Sequence, residues 1–151
     1  MTDLEASQRL AVVTEARAWL LTPYHHEGRV KGLGGGVDCA MLPAEVYHAA
    51  GVIPAIPELT YDPQWHLHHS AERYLEWVLK YAREIAGPPQ PGDMALYKYG
   101  HTLSHGAIVI AWPQVIHAVR DRAVEWGNGA QMIINGHRAK DVRFYRFQGW
   151  I

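Results

Sequence analysis

The segment Gly87-Pro88-Pro89-Gln90-Pro91-Gly92 divides the chain into two halves with different hydrophobic periods. Before it, apolar residues recur at helical steps; after it, they fall into short runs closed by turn signals. In the first half, Thr2 and Glu5 fit a capping box, Leu10, Val13, Arg17 and Leu20 follow helical spacing, and Thr22-Pro23 ends the helix. A glycine-rich loop runs from Gly28 to Gly36 and leads to a helix expected over Cys39 to Ala50, closed by Gly51. A proline-rich stretch from Ile53 to Pro63 precedes a helix expected from about Ser70 to Ala86, with Ser70 as N-cap and Ala71, Tyr74, Leu75, Val78, Leu79, Ala82 and Ile85 as its apolar stripe. The second half predicts strands over Met94–Lys98, His105–Trp112, Val115–Val119, Ala123–Trp126, Gln131–Ile134 and Val142–Phe147. Trp112-Pro113, Asn128-Gly129 and Asn135-Gly136 mark turns between them. Helices followed by a meander of strands predict an α+β fold, with N-terminal helices packed on an antiparallel sheet. At 151 residues each half is too small to be comfortable alone, so one domain is expected.

Composition narrows the function classes. Fourteen Lys and Arg against fifteen Asp and Glu give a net charge of −1, which supplies no footprint for nucleic acid or an anionic membrane. No apolar run approaches the length of a membrane span. The start carries Asp3, Glu5 and Glu15 where a signal peptide wants a basic start and an unbroken apolar run, so synthesis in the cytoplasm without a signal peptide is expected. Two counts stand out: ten histidines and one cysteine. A single cysteine excludes an internal disulfide and makes Cys39 either an inert core thiol or a reactive one.

Cys39 follows Gly34-Gly35-Gly36-Val37-Asp38 and opens the apolar run Ala40-Met41-Leu42. A loop feeding a helix places the thiol in the first turn, where free N–H groups and the positive end of the dipole favour thiolate. The glycines would let backbone approach a substrate, and first-turn N–H groups would face a developing oxyanion. The alternative is a small buried residue on a stripe with Leu42 and Val46. A nucleophile needs a base, and the base an orienting partner. His105 opens the strand HGAIVIAW and His117 lies in VIHAV. If these strands pair through Trp112-Pro113-Gln114, both rings share one face, with His105 taking the thiol proton and His117 fixing its tautomer. Each histidine alone reads equally as a strand-end polar residue. The glycine loop lacks the pattern of a phosphate cradle.

His66 and His68 could share a strand face, and His25-His26 adjoin the glycine loop, but no second set of ligands stands at metal-binding spacing. Surface roles are expected for them, with no metal and no cofactor. His101 precedes Thr102-Leu103-Ser104 and could border the cleft beside His105.

The ordered set TPYHHEGRVKGLGGGVDCAML, PGDMALY, SHGAIVI and VIHAV resembles the NlpC family of papain-like cysteine peptidases, which cut bacterial peptidoglycan stem peptides. The match runs from about Pro23 to Val119. It implies a papain-like fold with Cys39 as nucleophile, His105 as base and His117 as orienting residue. It further implies that Tyr24 lines the substrate cleft and that Asp38 meets the stem peptide's free amino group. Tyr24 as a core aromatic and Asp38 as a helix N-cap are the structural alternatives. The bond implied is the γ-D-glutamyl link to the diamino acid, and the partner is the stem peptide. Two departures bear on substrate preference: Ala40-Met41 stands where the family usually has Ser-Gly, and Pro43 is expected to bend or displace the first turn. The stretch at about 53–90 is longer than a minimal core needs and resembles a helical insertion of phage-tail and prophage members, which implies tail proteins as partners. Three rivals stay open: a catalytically silent tail-assembly protein, an amidase or acyltransferase on the same site, and a histidine-rich metal module.

Overall fold

The computed structural model describes residues 1–57 and 75–150. Helix α1 spans Asp3–Ala18, and the Thr2 hydroxyl accepts the Glu5 N–H at 3.1 Å, which is one half of the expected capping box; the Glu5 carboxylate accepts from Arg9 instead of returning to Thr2. Its buried face is not the expected stripe. Leu10 stays largely exposed, and the core side is Glu5, Arg9, Val12, Ala16 and Trp19. The reason is a buried charge cluster. Arg9 donates to Glu5 (3.1 Å), the Pro91 carbonyl (2.7 Å) and Asp93 (3.1 Å), and lies over the Trp150 ring. Arg146 grips Asp93 from the other side at 2.8 and 3.0 Å, and the Gln90 N–H donates to it at 2.8 Å. Charges this buried persist only when paired, so the Pro91-Gly92-Asp93 turn is the clamp between α1 and the sheet.

A six-stranded antiparallel sheet forms the body, in the order β3-β10-β4-β5-β6-β7. Its strands are β3 (Ala82–Ile85), β4 (Met94–Tyr99), β5 (Thr102–Ala111), β6 (Gln114–Ala118), β7 (Val124–Asn128) and β10 (Asp141–Phe147). Two short antiparallel pairs flank it: β1 (Arg29–Val30) with β2 (Gly36–Val37), and β8 (Ile133–Ile134) with β9 (His137–Arg138). Alternation along the strands makes two cores. Met94, Leu96, Ile108, Ile110 and Ile116 face α1 and α2 (Met41–Ala49). Ala95, Tyr97, Ala107, Val109 and Val115 face the other way, under Met132 and Ile134. This is the α+β arrangement that the period change predicts. No helix among the described residues is long and apolar enough to cross a membrane.

Three expectations are corrected. The helix expected to reach Ala86 ends at residue 79, and Ala82–Ile85 is the edge strand β3, paired with Phe144–Phe147. Non-local pairing outweighs a local period of 3.6, and the Gly87–Gly92 segment joins two strands of one sheet instead of separating halves. Ser70, Ala71 and Tyr74 lie outside the described residues, while Leu75 and Val78 are buried as that stripe expects. Asn135-Gly136 forms the β8–β9 turn with both φ angles positive (50° and 82°), but Asn128-Gly129 does not turn a hairpin. Instead the Asn128 side chain caps a 3-10 turn over Gly129–Gln131.

Candidate active site

The sheet sets the histidines. β5 and β6 pair antiparallel, so His105 and His117 fall on the face of Tyr97, Val109 and Val115. Both are buried, and His105 Nε2 lies 2.8 Å from His117 Nδ1. One ring nitrogen of each is thereby committed, which leaves His105 Nδ1 as its free nitrogen. The Tyr99 ring stands edge-on to His105 at 6.3 Å and Tyr97 packs at 6.2 Å. Burial, then the neighbouring His117, holds His105 well below the usual histidine range. Burial, then Arg122, pulls His117 down to about 4. Both rings are neutral at pH 7. β7 passes behind His117 at Gly127, where a Cβ would stand 2.6 Å from His117 Nε2. A side chain there and the present ring position exclude one another.

Loops and caps set the cysteine. Asp38 is buried and takes three backbone donors: Ala40 (3.0 Å) and Met41 (2.8 Å) on one oxygen, and Glu27 (2.7 Å) on the other. The Asp38 carbonyl accepts the Leu42 N–H at 3.1 Å, so Asp38 is the helix cap of the structural alternative. Pro43 has no N–H to offer the Cys39 carbonyl, and regular α2 therefore starts at Met41, not at Cys39. Of the two outcomes expected of Pro43, the structure has the displaced start: the regular helix begins two residues after Cys39. Because Asp38 consumes the Ala40 and Met41 N–H groups, they are not the oxyanion donors that the sequence suggested. The glycines also act differently from expectation. A Cβ on Gly36 would meet the His25 Cβ at 2.5 Å, and one on Gly35 would run into the Val30 carbonyl, so they close the β1–β2 pair.

Cys39 is half-buried and its thiol donates to the Ser104 carbonyl at 3.5 Å. The β4–β5 register explains that acceptor: Tyr97 pairs with His105 and Lys98 with Leu103, leaving Ser104 as the extra residue of a bulge. Burial, then the Asp38 charge, pushes the thiol up to about 12, against a hydrogen bond from Tyr24 that lowers it. Burial, then Cys39, raises the Tyr24 hydroxyl, so it remains a donor. Tyr24 is fixed by its N–H to the Arg122 carbonyl (3.1 Å) and its pairing with Val37.

Tyr24, Asp38, Cys39 and His105 line one open cleft of about 630 Å³, with His117 behind His105. Its other walls are His25, His26, Tyr99, Ser104, Arg120, Asp121 and the β8–β9 turn with Asn135 and His137. Of these Tyr99, Ser104, Arg120, Asp121, Asn135 and His137 were not singled out from the sequence for this site. Ser104 and Arg120 immediately flank the two chosen strands, a signal that was available. His101 does not border the cleft; it lines a separate groove with Leu75 and Arg143. No three His, Cys, Asp or Glu residues converge to hold a metal among the described residues, and His66, His68 and His69 lie outside these.

No family model matches the sequence, and no curated protein does. Solved structures do. An NlpC/P60 family protein from Bacillus cereus ATCC 10987 superposes with a TM-score of 0.61 at 18% identity, over 92% of this chain and 40% of that chain. The present chain thus spans well under half of that protein. The NlpC/p60 domain of the peptidoglycan hydrolase SagA gives 0.56 at 24% identity, over 80% of this chain and 88% of its own. RipD from Mycobacterium tuberculosis, described as a non-catalytic NlpC/p60 domain protein adapted to peptidoglycan binding, gives 0.57 at 16% identity over 92% and 96%. Helices packed on one large antiparallel sheet, with a cysteine before a helix and paired histidines on neighbouring strands, give this chain the papain-like fold of the NlpC/p60 proteins.

Proposed function

We propose that the chain is a cysteine peptidase acting on peptidoglycan stem peptides, with Cys39 as nucleophile, His105 as base and His117 as orienting residue. The observation that carries this reading is the placement of Cys39 and His105 on one open cleft, with His117 at 2.8 Å behind the base. His105 Nδ1 takes the proton from the Cys39 thiol as sulfur attacks the peptide carbonyl carbon. For His105 Nε2–H to donate to His117 Nδ1 throughout, His117 must carry its own proton on Nε2. The neutral thiol and neutral imidazole make the proton transfer part of the attack, not a preformed ion pair. The Tyr24 hydroxyl, kept protonated beside the sulfur, supplies a donor to the oxyanion. His105 returns its proton to the leaving amine, a thioester remains on Cys39, and water activated by His105 releases the acyl group as a carboxylate.

The bond cleaved, in this reading, is the γ-D-glutamyl link to the diamino acid, with the Asp38 side of the cleft receiving the peptide's free amino group. Asp38 Oδ2 carries one backbone bond and stands 3.8 Å from His26, on the cleft wall. Delivery to the wall as part of a phage tail belongs to the same proposal, supported by the resemblance of the 53–90 stretch. Incubating the protein with purified wall fragments and resolving the products by mass tests it. Diamino acids with newly freed α-amino groups are expected from the native protein and not from Cys39→Ala.

One observation favours a second reading, a wall-binding protein without turnover. The thiol points its proton at the Ser104 carbonyl and is raised toward 12 instead of lowered. Binding of stem peptides undiminished by Cys39→Ala, without products from either protein, would select it.

A further inference from the structure

We propose that Arg122, held on Glu125 in a polar cavity behind the histidine dyad, is a positioning residue that keeps His117 Nδ1 an acceptor for His105. This rests on the Cys39–His105–His117 reading and adds a group that governs it from outside the cleft.

His117 can orient the base in one charge state alone. Neutral, with its proton on Nε2, it accepts from His105 Nε2–H and leaves His105 Nδ1 open to the thiol proton. A charged His117 donates from both nitrogens. His105 Nε2 would then have to accept, and its proton would sit on Nδ1. The nitrogen that must take the thiol proton would be occupied.

Sheet register places the charges that decide between these states. Glu125 is the ladder partner of His117, so both side chains leave the same face, and Gly127 is the next position of β7 on that face. The His117 ring leans over Gly127 and, with Glu125, Asn128, Gln131 and Asn135, lines a cavity of about 110 Å³. Arg122 lines the same cavity, and its Nε is tied to the Glu125 carboxylate at 3.2 Å. Its backbone is fixed on both sides: the N–H donates to the Val119 carbonyl at 3.0 Å, and the carbonyl accepts the Tyr24 N–H at 3.1 Å. Among the described residues, the titratable groups facing His117 are His105 on β5, Glu125 on β7 and Arg122 on the β6–β7 turn. The segment 128–135 that closes the cavity carries none, and Arg120 and Asp121 of the same turn line the cleft instead.

Two charges of opposite sign thus stand behind one ring, and the positive one prevails. Burial disfavours the imidazolium first, and the Arg122 charge adds to it. With side chains 62% and 30% exposed, the Arg122–Glu125 pair contributes little stability. Its two members should therefore be separable by the sign of their charge.

The test is a histidine NMR titration, which needs no turnover, run beside the pH profile of cleavage. In protein labelled with ¹⁵N-histidine, the His117 ring is assigned by its disappearance in His117→Asn. Its protonation is then followed from about pH 8 to about pH 5. Arg122→Gln is expected to move that protonation up by about half a pH unit or more, and the acid limb of kcat/KM in the same direction. The shift should shrink at roughly 1 M salt, and Arg122→Lys should restore the native profile. Glu125→Gln breaks the same ion pair with the opposite change of charge and should move neither readout upward. An unshifted His117 in Arg122→Gln, an equal upward shift in Glu125→Gln, or a cleavage limb that ignores the ring titration would overturn the proposal. Absence of cleavage by the native protein would overturn the hydrolase reading instead. The titration alone would then decide whether Arg122 keeps His117 uncharged.

Discussion

The two walls of the cleft are held by different physics. His105 and His117 stand on adjacent strands, and their meeting at 2.8 Å follows from ladder register alone. Cys39 stands on a turn, and its position depends on side-chain bonds to backbone: Asp38 to three N–H groups, the thiol to the bulged Ser104 carbonyl, Tyr24 to the sulfur. A register is cooperative and shared by many residues, whereas a cap is the work of one carboxylate. The base side should therefore tolerate substitution in stability and lose chemistry. The nucleophile side should lose both together.

Removing His105, the proposed base, gives the largest expected effect. His105→Ala should lower kcat/KM for stem-peptide hydrolysis by about 10³-fold or more, the upper range for a general base, with the melting temperature little changed. A drop in both would dissolve the distinction between the walls. Next comes the support behind His117. Gly127→Ala should lower kcat by roughly 10–100-fold with KM nearly constant, because the new Cβ displaces the ring that orients the base. His117→Asn should lower kcat similarly, and the double variant should be no worse than His117→Asn alone. Additive losses would show that Gly127 acts elsewhere.

The buried dyad also makes the sheet side sensitive to acid. His117 titrates near 6.5 when unfolded and near 4 when folded, so the unfolded chain takes up the proton first as pH falls. Stability should be independent of this ring above about pH 7 and decline between roughly pH 6.5 and 4. Chemical denaturation at both ends of that window should show His117→Asn sparing on the order of 3 kcal/mol of the loss at pH 4. Asp38, whose carboxyl burial raises, acts with the opposite sign but is present in both proteins and cancels. An identical decline in the two proteins would remove His117 as the cause. The smallest effect belongs to the cap. Asp38→Asn keeps an oxygen for Ala40 and Met41 but turns an amide toward the Glu27 N–H, and should cost about 1 kcal/mol in the same denaturation measurement. Activity should fall with it; a stable, fully active variant would free the nucleophile from its cap.

The same contrast explains what the sequence made legible. Strand alternation and the Trp112-Pro113 connection put His105 beside His117 because sheet register is a local, periodic rule. Asp93 was visible only as a turn residue, since its partners Arg9 and Arg146 come from distant elements. That buried cluster is also why α1 turns Arg9 inward and leaves Leu10 outside. Ala82 and Ile85 suit helical spacing as well as an edge strand, and only β10 decides between them. Around the cysteine, the effect of Pro43 on the first turn was legible from the residue type alone, whereas the Gly35 and Gly36 requirement depends on what packs where, which no period encodes. Ser104 and Arg120 were legible in principle, since each stands next to a strand chosen for its histidine and lines the cleft.

Thiol dependence on a defined peptide tests the account most directly. The rate of cleavage of L-Ala-γ-D-Glu-L-Lys should be measured for the native protein and Cys39→Ala side by side, with release of free lysine as the readout. Cleavage by the native protein, lowered at least about 10³-fold in the variant, is the expected result. Equal rates in the two proteins, or no lysine released by the native protein, would contradict the assignment of Cys39 as the nucleophile of a stem-peptide hydrolase.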